Sequence, residues 1–185
     1  MIRAICLAAT LALPLNAQTA LPFDLGGAFE LIDQTGATRT QADPDGKLQL
    51  LFFGYANCRE ICSATLPLMA QIVDQVAEDG VEISPVMITV DPARDTIETL
   101  GPALTMHHEG FVGLTGSEAA LDVAYKAFSI EKEEVFFDPE YGPVYAHGSF
   151  IYLLDAEGEL LTLMPPILGP EQASEIVQKY ANEVS

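Results

Sequence analysis

Apolar residues along this chain fall into alternating short runs and helical stripes, and the turn residues between them mark the boundaries. Phe29 to Ile32 and Ala37 to Thr40 flank Asp33-Gln34-Thr35-Gly36, which predicts a hairpin with a glycine-containing turn. After a second turn at Asp43-Pro44-Asp45-Gly46, Leu48 to Phe53 is an apolar run broken by Gln49 alone, as expected of a strand buried on both faces. From about Glu60 to Glu78, Ile61, Leu66, Met69, Ile72, Val73 and Val76 recur at helical spacing, and Pro67 is expected to kink or interrupt that helix. Asp79-Gly80 closes it and Val81 to Val90 is the next buried strand.

The second half continues the alternation. A helix is predicted from about Thr96 to Met106, a short strand at Phe111 to Leu114, and a helix from the N-cap Ser117 to Phe128. Glu133 to Phe137 and Ser149 to Asp155 read as strands, the latter turning through Ala156-Glu157-Gly158 into Glu159 to Leu163. Pro170 opens a last amphipathic helix ending near Asn182. Strands alternating with helices predict an α/β fold with a mixed central sheet flanked by helices. Their order, with a hairpin added at the N-terminal side, fits a thioredoxin-like architecture.

At 185 residues and 49% hydrophobic content the chain can bury a full core without disulfide staples. A net charge of −19 repels nucleic acid and anionic membranes and suits a partner with a basic patch. The first residues resemble an export signal: Arg3 is basic, Ala4 to Leu15 is apolar, and Ala17 offers a small residue for cleavage. Residues 1–17 are therefore expected to leave, an uncleaved membrane anchor being the alternative, and 18–185 to form one domain in the periplasm or an equivalent extracytoplasmic space.

Removal of that segment takes Cys6 with it and leaves Cys58 and Cys62 as the cysteine pair. The two thiols stand at i and i+4, directly after a buried strand and at the expected start of a helix, where the helix dipole favours thiolate. A disulfide across so short a loop would add little stability, so a chemical role is the better account. Two thiolates suit Cu(I), zinc or iron–sulfur chemistry, and equally thiol–disulfide exchange. Four-ligand structural zinc would need more ligands than the pair supplies. His147 is the best third ligand by position, because the segment entering the strand at 149–155 should face the thiols; His107 and His108 read as a helix C-terminus.

Gly27-Ala28-Phe29-Glu30-Leu31, Phe52-Phe53-Gly54-Tyr55 before the C-x3-C, Asp91-Pro92-Ala93-Arg94-Asp95-Thr96, Gly113-Leu114-Thr115-Gly116, and His147 followed by Ile151-Tyr152-Leu153 together resemble the SCO/SenC copper proteins. The resemblance runs from Gly26 to the last helix. It implies copper, as Cu(I) and also Cu(II), held by Cys58, Cys62 and His147. It further implies delivery to the binuclear copper site of cytochrome c oxidase or to another cuproenzyme, with a second copper chaperone or a thiol reductant as further partners. The alternative it leaves is a thiol–disulfide oxidoreductase that reduces the oxidase's copper-site cysteines, with Cys58 and Cys62 catalytic; a peroxide-reducing relative lacks its dedicated cysteine loop here. The chain departs from the family at Arg59 and Ser63, where proline is usual, and at Ala146, where aspartate is usual. Elsewhere, Asp91 to Thr96 reads as a turn with Asp95 or Thr96 capping the next helix, and Glu131 to Glu134 as a solvated loop. Phe136, Phe137, Tyr141 and Tyr145 are expected to line the approach to His147.

Overall fold

The structure, a computed structural model, describes residues 25–58 and 61–184. The expected signal segment, and Arg59 among the family departures, lie outside the described residues. Among the described residues no helix is long and apolar enough to cross a membrane.

Seven strands form one mixed sheet in the order β2-β1-β5-β4-β3-β8-β9. The strands are β1 (Glu30–Asp33), β2 (Thr38–Thr40), β3 (Leu48–Gly54), β4 (Ile83–Thr89), β5 (Val112–Thr115), β8 (Ile151–Leu154) and β9 (Leu160–Met164), and a separate hairpin joins β6 (Glu133–Asp138) to β7 (Gly142–Ala146). The helices are α1 (Ile61–Glu78), α2 (Ile97–Thr105), α3 (Glu118–Ala127) and α4 (Pro170–Val184). β3, β4 and β5 run parallel, while β1 joins β5 and β8 joins β3 antiparallel. Every residue of β3 is buried, as a mostly apolar central strand covered on both faces requires, and the one polar member, Gln49, donates its side-chain amide to the Gln41 carbonyl at 2.8 Å. This is the thioredoxin-like α/β arrangement with an added N-terminal hairpin that the element order predicts.

The structure decides three local readings. Of the two outcomes expected at Pro67, interruption does not occur, and α1 continues through it. The amide that proline lacks would have served the carbonyl of Ser63, an exposed residue whose backbone solvent can reach. Of the two expected candidates, Asp95 and Thr96, it is Thr96 that caps α2, and its amide donates to the Thr99 hydroxyl at 2.8 Å. The strand expected at Glu133 to Phe137 is present as β6, with the side chains of Glu133 and Glu134 exposed as a solvated acidic run should be, whereas its partner β7 was not expected because Gly142 and Pro143 argue against a strand. Pro143 is tolerated because a two-stranded ribbon has only edge strands.

β3 ends at Gly54 and leads through Tyr55-Ala56-Asn57 to Cys58. β8 runs antiparallel to β3, pairing Leu51 with Tyr152 and Gln49 with Leu154, so the residues just before Ile151 lie beyond the C-terminal end of β3. The loop from β4 to α2 opens at the same end of the sheet. Three loops thus converge where parallel strands finish, a common position for a site in an open sheet.

Candidate metal centre

The sulfurs of Cys58 and Cys62 and one ring nitrogen of His147 lie within 4.8 Å of one another. Cys62 Sγ stands 3.8 Å from His147 Nε2 although the residues are 85 positions apart. Both cysteines are buried and His147 is half-buried. The structure thus places His147 opposite the thiols, as its position in the chain predicts. His107 and His108 lie outside this group, at the end of α2, where His108 faces Asp74 at 3.4 Å.

The thiols are held differently from the simple helical picture. Cys58 precedes α1, its amide donating to the Tyr55 carbonyl at 3.1 Å in a turn, and only Cys62 lies in the first helical turn. No disulfide joins them. Nor does the site favour thiolate at Cys62: hydrogen bonding to Cys58, then burial, then the nearby Cys58 charge push its thiol above the ordinary value. Two neighbouring thiols in a dry pocket cannot easily both ionise, and this outweighs the helix dipole. Gly54 makes room for the pair, since a Cβ there would sit 3.0 Å from Cys62 Sγ and 2.5 Å from Phe52 Cε1.

His147 Nδ1 lies 2.9 Å from the Gly148 carbonyl, which can only accept, so Nδ1 is the donor there and Nε2 is the ring nitrogen turned toward Cys62. The Gly148 carbonyl thereby orients the ring, while the neighbouring Ala146 has no side-chain acceptor to offer. The ring is walled by Phe52 and Tyr55, each with its centroid 5.9 Å away and nearly edge-on. Burial raises the Tyr55 phenol to about 12.

Sequence reasoning missed the supports. Asp95 is buried, and its Oδ2 accepts from the Ala56 amide at 3.0 Å and from the Thr89 hydroxyl at 2.7 Å. It therefore pins the loop that carries Cys58, and burial raises its carboxyl above the ordinary range despite those two bonds. Arg94 reaches from the same loop to Asp91 and to the carbonyls of Tyr141 and Pro143 in the β6–β7 hairpin. Tyr145 meets the Tyr55 ring at 5.6 Å, as expected of the approach to His147, whereas Phe136 and Phe137 face solvent. No spacing signal ties Asp95 to Ala56, 39 positions upstream.

Chemically, the donor set fits a soft metal ion. Thiolate–metal bonds of ~2.3 Å, the zinc value, would place the sulfurs of a three-coordinate site about 4 Å apart. The separations here need only small side-chain adjustments to match.

The family model described as SCO1/SenC matches residues 17–182. A SCO2-like protein of Rickettsia felis is 39% identical over 139 residues, covering 74% of this chain and 67% of that protein. The mitochondrial SCO2 homologue of Homo sapiens is 32% identical over 156 residues, covering 83% of this chain and 59% of its own length. Among solved structures, Arabidopsis thaliana ScoI with copper bound superposes with a TM-score of 0.80 at 26% identity, covering 86% of this chain and 99% of that one. Yeast Sco1 with copper bound gives 0.78 at 26% identity, covering 86% and 89%. With the family match spanning nearly the whole chain, and its fold and cysteine–histidine cluster already described, the chain belongs to the SCO1/SenC family.

Proposed function

We propose that the protein binds copper through Cys58 Sγ, Cys62 Sγ and His147 Nε2 outside the cytoplasm. It then passes the metal to a copper-accepting subunit of cytochrome c oxidase or to another cuproenzyme. The observation that carries this reading is the convergence of two buried sulfurs and one imidazole nitrogen within 4.8 Å. Copper-bound relatives of the same fold support it, and the export-like residues 1–17 support the location, which fractionation of cells making the full chain would check.

Thiolate and imidazole together suit Cu(I). Binding requires Cys62 to give up the proton that its surroundings favour, so loading releases protons. Transfer proceeds by ligand exchange, and the half-buried His147 is the ligand most open to replacement by a partner's thiol or imidazole. Two-electron oxidation of the thiols to a disulfide would withdraw both sulfur ligands, tying copper loading to thiol redox state. Beside the site, Val135, Phe136 and Phe137 are 61%, 50% and 65% exposed, with Glu131, Glu133, Glu134 and Glu140 around them. Such a surface suits a partner with an apolar centre and a basic rim.

The test is His147→Ala, with Cu(I) affinity and the rate of exchange with a model disulfide measured in parallel. A fall in affinity with exchange preserved supports the copper reading. Unchanged affinity with slowed exchange would favour the thiol–disulfide oxidoreductase instead.

A further inference from the structure

We infer that Arg94 is a positioning residue: it clamps the hairpin that carries His147 onto the loops around the thiols, and so sets how well the third ligand is presented to copper. The inference rests on the copper reading above and deepens it. Arg94 lies in the loop between β4 and α2. Its Nε donates to the Asp91 carboxylate, its Nη1 to the Tyr141 carbonyl, and its Nη2 to the Pro143 carbonyl at 2.9 Å. Its Cζ lies 5.8 Å from the centroid of the Tyr55 ring. One planar guanidinium thus ties three parts of the molecule together: the β4–α2 loop, the β6–β7 turn and the residue that leads into Cys58.

The anchor end is firm, because Asp91 is only 1% exposed and cannot swing away with its partner. The hairpin end is shaped to receive the fork. Gly142 stands between the two accepting carbonyls with φ at +82°, and a Cβ on it would run into the Arg94 side chain. The hairpin needs this tie, since its strand β6 leaves every side chain from Glu133 to Phe137 in solvent and forms a sheet with β7 apart from the central one. Past the clamp, Tyr145 packs on Tyr55 and its amide donates to the Tyr55 hydroxyl at 3.4 Å. Only Ala146 then separates Tyr145 from His147, whose ring lies against the same Tyr55. Lysine keeps the charge but not the fork, so it cannot serve Asp91 and both carbonyls together. Residues that orient a metal ligand from behind typically alter affinity by about 10–100-fold when removed.

A double-mutant cycle on the full chain tests this, with Cu(I) affinity measured by competition against a chromophoric chelator. Arg94→Met should weaken Cu(I) binding by about 10–100-fold and Arg94→Lys by less. In a His147→Ala background, Arg94→Met should change affinity by less than about twofold, because its effect runs through the imidazole. The thiolate-to-copper absorption of the Cu(II) form should move in Arg94→Met toward the spectrum of His147→Ala. An Arg94→Met protein within about twofold of the parent, or one weakened by the same factor with and without His147, overturns the inference. Should Arg94→Met lose its native circular dichroism, Arg94→Lys carries the same cycle. If His147→Ala itself leaves Cu(I) affinity unchanged, the ligand assignment fails first and the role of Arg94 with it; a responsive His147 beside a silent Arg94 sinks this inference alone.

Discussion

Replacing Asp95 by alanine removes an acceptor that two donors share. The Thr89 hydroxyl is fully buried and the Ala56 amide half-buried, and both point at Oδ2. A buried donor left without a partner costs ~1–3 kcal/mol, so two donors bound the loss at about 6. Water reaches Ala56 and the Thr89 hydroxyl can turn, which brings the expectation to ~2–4 kcal/mol. For a chain of this size that is roughly 4–16 °C in Tm, read by urea and thermal unfolding followed by circular dichroism. Asp95→Asn keeps an oxygen for both donors and should stay within ~1 kcal/mol of the parent. The pH dependence adds a second check. The folded protein holds the Asp95 proton more tightly than the unfolded chain, so the parent loses stability as pH rises from the ordinary value of 3.8 toward the raised one. The asparagine variant has nothing to titrate at this position, so the stability difference should shift in its favour over that window. Equal unfolding midpoints for the alanine and asparagine variants would refute the shared-acceptor account.

Copper affinity should rise with pH, because the Cys62 proton is held tightly and must be displaced; about tenfold per unit for each proton released is expected from competition titrations near neutrality, and a flat profile would contradict it. Gly54→Ala should cost ~1–3 kcal/mol by forcing Phe52 or Cys62 aside, with weaker Cu(I) binding alongside, whereas parent-like stability would mean the close approach is easily relieved. Burial holds the phenols of Tyr55 and Tyr152 near 12 in the folded state. The unfolded chain ionises first, so stability present below about pH 10 should be lost between about 10 and 12. An alkaline circular dichroism titration should show that loss, reduced in Tyr152→Phe.

What the chain declares about itself is mostly local. β3 announces itself because seven consecutive buried positions leave no other element to build from Leu48 to Gly54. His147 could be placed opposite the thiols from order alone, since a strand antiparallel to β3 must begin at the end where β3 finishes. The thiol chemistry was harder to read: an i, i+4 spacing suggests one helical face, but Cys58 sits in a turn before α1. β7 stayed hidden because Gly142 and Pro143 are poor strand residues, and they are tolerated there by a ribbon without central strands. Asp95 and Arg94 lay in a segment correctly read as a turn and helix start. Their partners at Ala56, Tyr141 and Pro143 are set by tertiary packing, which no spacing in the sequence encodes.

Copper held between two sulfurs and one imidazole nitrogen has a distinctive scattering signature. X-ray absorption at the copper edge, on reduced protein loaded with one equivalent of Cu(I), tests this ligand set most directly. The parent should show a three-coordinate site with two sulfur scatterers and one imidazole, and His147→Ala should lose the imidazole signal alone. A parent spectrum without imidazole, or one that His147→Ala leaves unchanged, would contradict it.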